Sequence, residues 1–266
     1  MTHTVGLIGY GRIGRDLADR IEAAPDTELA YVHVRSEKAA LPSSVQITDP
    51  DELGDRPVDL VVEAATPAAL SDLAGTVLSA SDLLVLSGSA FADPEAERRL
   101  TDLAAASAGE MYLPHAALFG VDGLVDARDE LDAVHIEATK APDHLDFEYA
   151  GPAAPDLSID PDDPIEGETV VYEGPVRGLC RRFPRNFNSH ATVALASLGL
   201  DDTTSRLIAD PDAETAHHVI TASGEGFDLE AVRDSDIEGV TGDYTLVSTW
   251  GSVRRVLRAD DGPQFV

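Results

Sequence analysis

The chain has 266 residues, 43% of them hydrophobic, which is enough apolar material to bury a full core and too much for a disordered polymer. It carries 49 acidic against 19 basic residues, a formal net charge of -30, so its surface repels phosphate backbones and argues against a nucleic-acid partner. No apolar run reaches the ~18 residues of a membrane span, and the one cysteine, Cys180, allows neither an internal disulfide nor a multi-cysteine zinc site.

The amino terminus runs directly into strand-like sequence without the features of a secretory signal, which predicts a cytoplasmic protein. Acidic residues are spread along the chain, and Lys38 and Lys140 are its only lysines. This composition resembles proteins of a salt-saturated cytoplasm, where a Debye length of ~3 Å at molar salt screens self-repulsion.

In chain order, VGLIGY is a short apolar run closed by glycine, and Arg12 to Ala24 has helical periodicity through Ile13, Leu17 and Ile21. Between them lies Gly9-Tyr10-Gly11-Arg12-Ile13-Gly14, a GxGxxG turn between strand and helix. Its glycines permit a tight turn, close approach of a pyrophosphate and close helix–strand packing, which predicts a dinucleotide site. ELAYVHVR is the second strand, and no carboxylate follows it until Glu37. Arg35 and Ser36 stand where an acid would read the ribose of NAD, and a guanidinium suits a 2′-phosphate, so the reading leans to NADP or dual use with NAD. The alternative for Arg35 is a plain solvated side chain.

VDLVVEAA is a third strand, with Ala65 at its end as a further cofactor contact, and Thr66-Pro67 starts the next helix. DLLVLSGS, the helix ADPEAERRLTDLAAAS and the strand MYLP follow. Strands alternating with helices predict an α/β doubly wound Rossmann domain over residues 1–114.

The alternation then breaks. AVHIEATKA, TTSRLIADP, ETAHHVITASG and GEGFDLEAV read as strands, RNFNSHATVALASLGL as a helix, and residues 143–168 as an acidic, proline-rich surface segment. This predicts a second, α+β domain over 115–242. A closing helix in 243–266, with Val247, Trp250 and Val253 on one side, returns to complete the first domain. In ETAHHVITASG the adjacent His217 and His218 point to opposite faces of a strand, so they cannot chelate one ion and no metal site is expected. Cys180, in GLCRRFP, reads as a small buried residue.

GLIGYGRIG, VVEAATPAAL, LSGSAFAD, TVVYEGPV, RRFPRNFNSHATVAL and the ADP…HHVI segment occur in an order that resembles the L-aspartate dehydrogenase family. The resemblance implies NAD(P)-dependent interconversion of aspartate with oxaloacetate and ammonia through iminosuccinate, and a supply of iminosuccinate for NAD biosynthesis; it makes 115–242 the catalytic and dimerisation domain, joined through its sheet into a homodimer or larger oligomer. Within it, His218 matches the active-site histidine of an N-x-H-x-I motif, and Asn188 and Ala117 match residues touching the cofactor near the nicotinamide. A histidine with an ordinary pKa of ~6.5 can serve as general base, the role expected of His218. Lys140, His115 and Thr192 are candidate substrate contacts; Arg185 either binds a carboxylate or caps a helix.

The sequence departs from the family where its S-G-A-I-G-G reads His115-Ala116-Ala117-Leu118-Phe119-Gly120, where its N-P-K-T-S reads Gly242-Asp243-Tyr244-Thr245-Leu246, and where Ala216 replaces the asparagine two residues before His218. These leave two alternatives open: an oxidoreductase or imine reductase with another substrate, and a dinucleotide-binding regulator without catalysis.

Overall fold

The computed structural model describes residues 2–149, 157, 164–238 and 241–258, which form two compact units. Residues 150–156 and 158–163 of the acidic segment, and 259–266 of the closing stretch, lie outside the described residues. The first unit comprises Met1–Ala90, Pro94–Pro114 and Leu246–Val266; the second, Phe91–Asp93 and His115–Thr245.

In the first unit, strands β1 (His3–Ile8), β2 (Thr27–His33), β3 (Gln46–Ile47), β4 (Leu60–Glu63), β5 (Asp82–Val85) and β6 (Met111–Tyr112) form one parallel sheet in the order β3-β2-β1-β4-β5-β6. Helices α1 (Arg12–Ala23), α2 (Glu52–Asp55), α3 (Pro67–Leu78) and α4 (Pro94–Ala106) connect the strands. The order reverses beside β1, the arrangement that opens a crevice at the carboxyl ends of the strands. β4 is buried along its length, as a strand covered on both faces must be. Thr66 caps α3 by accepting a hydrogen bond from the Ala69 amide at 3.2 Å, and Pro67 occupies the first turn.

The core contains Val5, Leu7, Leu17, Ile21, Val32 and Leu60, together with Val253 and Leu257 from α8 (Asp243–Leu257). Each fully buried Leu or Val contributes roughly 1.5–3 kcal/mol, which is what holds the last helix in this unit. Arg254 adds a 2.7 Å ion pair to Asp26.

The second unit is a mixed sheet of β7 (Leu131–Lys140), β8 (Thr169–Pro175), β9 (Thr204–Ala209), β10 (Ala216–Gly224) and β11 (Phe227–Ser235), ordered β11-β10-β7-β9-β8. Helices α5 (Val121–Asp126), α6 (Val176–Arg182) and α7 (Asn188–Ala196) accompany it. The helix expected to run to Leu200 ends at Ala196, because Ser197 turns its hydroxyl back onto the Val193 carbonyl at 2.7 Å and Gly199 takes a positive φ of 89°. Cys180 lies fully buried in α6, where burial pushes its thiol up to about 12, leaving no reactive thiolate at neutral pH.

Among the described residues no helix is long and apolar enough to cross a membrane, and no group of three or more His, Cys, Asp and Glu is arranged to hold a metal ion.

Candidate active site

The glycine turn lies between β1 and α1. Gly9 has a φ of 96°, and a Cβ on it would stand 2.6 Å from the Ala64 carbonyl oxygen. A Cβ on Gly14 would run into the Gly9 carbonyl. Gly11 differs, since nothing lies within 4 Å of the Cβ it lacks. Two of the glycines are thus required by the fold itself, whereas Gly11 keeps open space in front of the start of α1. That open space before a helix N-terminus fits a dinucleotide pyrophosphate.

Arg12 and Ile13 form the first turn of α1, while Arg35 and Ser36, just past β2, are exposed. Ala65 is exposed at the end of β4 and donates its amide to Glu63 at 2.8 Å. Glu63, fully buried, also accepts from the Ser87 amide at 3.0 Å and the Ser87 hydroxyl at 2.9 Å. Burial pushes its carboxyl up, and these hydrogen bonds oppose the shift. Glu63 therefore ties together the loops that follow β4 and β5, a role for which an acid ending an apolar strand was the only sign.

In the second unit the two histidines of β10 do face apart. His217 is 41% exposed at its side chain and pairs with Asp234 at 2.8 Å, whereas His218 is only 3% exposed. Across the hairpin, His218 stands opposite Arg233, and the guanidinium reaches its Nδ1 at 2.6 Å. On the other side β10 pairs with β7, whose last residue, Lys140, is 3% exposed. Lys140 Nζ lies 4.9 Å from the centre of the Phe187 ring. Phe187 packs edge-on against His190 at 4.7 Å, and His190 against His218 at 5.8 Å. Lys140, His190, His218 and Arg233 thus gather on one face of the sheet beneath α7. Among the described residues no carboxylate pairs with Lys140.

The electrostatics follow from that composition. Burial, then the positive neighbours Lys140 and Arg233, holds His218 well below the usual histidine range, and burial with Lys140 does the same to His190. Burial, reinforced by Arg233, lowers Lys140 to about 8. Both histidines are neutral in the native state at pH 6.5, and unfolding lets them take up protons. Stability therefore falls as pH drops below ~6.5, each histidine adding to the loss. Urea denaturation at pH 7.5 and 5.5 should show the loss, reduced in His190→Phe; equal stabilities at the two pH values would contradict it.

The remaining candidates are placed as follows. Thr192 is buried in α7, one turn beyond the half-buried Asn188. Arg185 is committed to Asp146 at 2.9 Å and Glu148 at 3.9 Å, which leaves it poorly suited to a second carboxylate. His115 is half-buried and Ala117 buried, at the start of a loop in which Ala116 and Ala117 take φ of 48° and 63°. Left-handed backbone costs a non-glycine residue roughly 1–2 kcal/mol. Ala116→Gly should therefore stabilise the protein by about 0.5–1 kcal/mol in urea denaturation, and a destabilised variant would contradict this.

A nucleotide crevice in one unit and a buried cationic cluster in the other suggest a dehydrogenase acting on an anionic substrate. Residues 122–256 match the model of the aspartate dehydrogenase C-terminal domain, and residues 9–114 that of the homoserine dehydrogenase NAD-binding domain. The chain belongs to the aspartate dehydrogenase family. It is 33% identical to an aspartate dehydrogenase domain-containing protein of Xenopus tropicalis, covering 94% of this chain and 93% of that one. It is 32% identical to the L-aspartate dehydrogenase of Nitrosopumilus maritimus, covering 87% and 89% of the two chains. The crystal structure of aspartate dehydrogenase from Thermotoga maritima shares the fold, with a TM-score of 0.77 at 24% identity over 100% of both chains.

Against the family pattern, Ala216 is buried beside the cluster and His190 and Arg233 are the members that sequence reading missed. Arg233 was within reach of it: counting back along a tight Gly224–Phe227 hairpin places residue 233 opposite 218.

Proposed function

We propose that the chain catalyses the NAD(P)-dependent oxidation of L-aspartate to iminosuccinate, which water converts to oxaloacetate and ammonia, and the reverse reaction. The observation that carries this reading is the buried group of Lys140, His190, His218 and Arg233. The guanidinium of Arg233, the amine of Lys140 and two neutral imidazoles, with no carboxylate pairing with Lys140 among the described residues, suit an anionic amino-acid substrate.

In this reading Gly9, Gly11, Arg12, Ile13, Gly14 and Ala65 hold the dinucleotide, and Ala117 and Asn188 meet its nicotinamide end. Arg35 and Ser36, exposed and without an acid beside them until Glu37, suit a 2′-phosphate and favour NADP. When bound, the nicotinamide supplies the hydride chemistry, and the protein's work is to orient the substrate and handle its protons. His218 and Lys140 face the substrate, with His115 and Thr192 as further contacts. A homodimer through the second unit's sheet, a cytoplasm of high salt and a role in supplying iminosuccinate for NAD synthesis complete the proposal.

The bulkier loop of Ala116, Ala117 and the 57%-exposed Phe119 favours a second reading, a related oxo or imino acid as substrate. Initial rates with NADPH and NADH against a panel of oxo acids plus ammonia, in concentrated KCl, separate the two. The proposal predicts oxaloacetate as the preferred acid; preference for a monocarboxylic oxo acid would overturn it.

A further inference from the structure

We propose that Arg233 is a positioning residue that locks His218 into its Nε2–H tautomer, so that His218 meets the substrate as a hydrogen-bond donor and Lys140 accepts the proton. The first half follows from the valence of the groups. A guanidinium only donates, so the 2.6 Å contact from Arg233 requires a lone pair on His218 Nδ1. A neutral imidazole has one such lone pair, and its proton then sits on Nε2. The base role would therefore require breaking the Arg233 hydrogen bond inside a buried cluster, which is costly.

The Ala216 carbonyl also faces the His218 ring and would favour an N–H pointed at it. Placing that hydrogen on Nδ1 would set it against the guanidinium, so the Arg233 contact excludes it. The groups around His218 are Lys140 from β7, Arg233 from β11 and His190 from α7, all of which oppose a positive charge on it. Burial lowers the Arg233 guanidinium, and Asp234 and Tyr244 oppose that shift.

The second half of the proposal rests on the aspartate dehydrogenase reading. Aspartate must lose one ammonium proton before hydride can leave its α-carbon. A neutral Lys140 takes it: the substrate –NH3+ becomes –NH2, Lys140 –NH2 becomes –NH3+, and no bond to the lysine forms. Lys140 is suited to this by burial, by the absence of a paired carboxylate among the described residues and by an amine that burial and Arg233 bring down to about 8.

Nitrogen NMR of the 15N-histidine protein without substrate tests the tautomer whatever the enzyme turns over. The His218 signals, identified by their loss in His218→Gln, should show Nδ1 unprotonated and Nε2 protonated. Arg233→Met should mix the tautomers, and Arg233→Lys should restore Nε2–H. A protonated Nδ1 in the wild-type protein would overturn this half.

Carbon NMR of 13C-lysine protein, with only two lysines to resolve, should give Lys140 a midpoint near 8, and an ordinary lysine midpoint would overturn the second half. In aspartate oxidation kcat/KM should rise with pH to a limb near 8, and Lys140→Met should remove that limb with ~10²–10⁴-fold loss of rate. A limb below 6.5 that survives Lys140→Met would return the base role to His218. If the predicted NMR pattern holds but no aspartate turns over, the aspartate reading fails, the tautomer assignment stands, and the proton-acceptor role of Lys140 falls with it.

Discussion

His218→Ala should lower turnover by ~10²–10⁴-fold, the range that one positioned proton-handling or hydrogen-bonding group supplies, while dinucleotide affinity stays nearly unchanged. The separation follows from the chain: His218 lies in the mixed sheet of the second unit, and the glycine turn belongs to the first. The control is one residue away. His217 is on the opposite face of the same strand and forms an exposed pair with Asp234, worth no more than about 1 kcal/mol. His217→Ala should therefore leave kcat close to wild type. Steady-state kinetics with cofactor binding by fluorescence read both quantities. Equal losses in the two variants would mean that burial and orientation do not distinguish the histidines.

Gly11→Ala should fold like the wild-type protein and lose most of its dinucleotide affinity. No atom lies within 4 Å of the added Cβ, and Gly11 already has an ordinary φ of -78°, so the native chain accepts alanine without strain. The space that the Cβ fills is where the pyrophosphate approaches the start of α1. Gly9→Ala makes the opposite comparison. Its Cβ would stand 2.6 Å from a backbone carbonyl and force alanine to a φ of 96°, so that variant should lose stability as well as cofactor. Thermal unfolding and cofactor titration of the pair separate a ligand-driven glycine from a fold-driven one. Unchanged affinity in Gly11→Ala would remove the assignment of this turn.

The first unit was legible because its physics is local. Apolar runs the length of buried strands, separated by capped helices, dictate a parallel sheet, and GxGxxG marks the strand–helix junction. The second unit was legible in part. Strand alternation separated His217 from His218, and the family resemblance, not the alternation, picked out His218 as the inward one. His190 escaped because α7 is buried on most sides, with His190, Ala191, Thr192, Val193 and Ala194 all covered, so no amphipathic stripe distinguishes an inward face. Arg233 escaped because a charge on a strand with alternate exposure reads as solvated until its cross-strand partner is known. Helices α5 and α6, of 6 and 7 residues, are too short to carry a period. The family resemblance supplied the motifs, but the cluster around His218 is tertiary.

The central claim is tested most directly by the amino acid that the enzyme makes. Purified protein in concentrated KCl, given oxaloacetate, ammonium and NADPH or NADH, should consume the dinucleotide and release L-aspartate in equal amounts, identified by chiral chromatography. Dinucleotide bound but not oxidised with oxaloacetate, or oxidised only with a different oxo acid, would contradict the account.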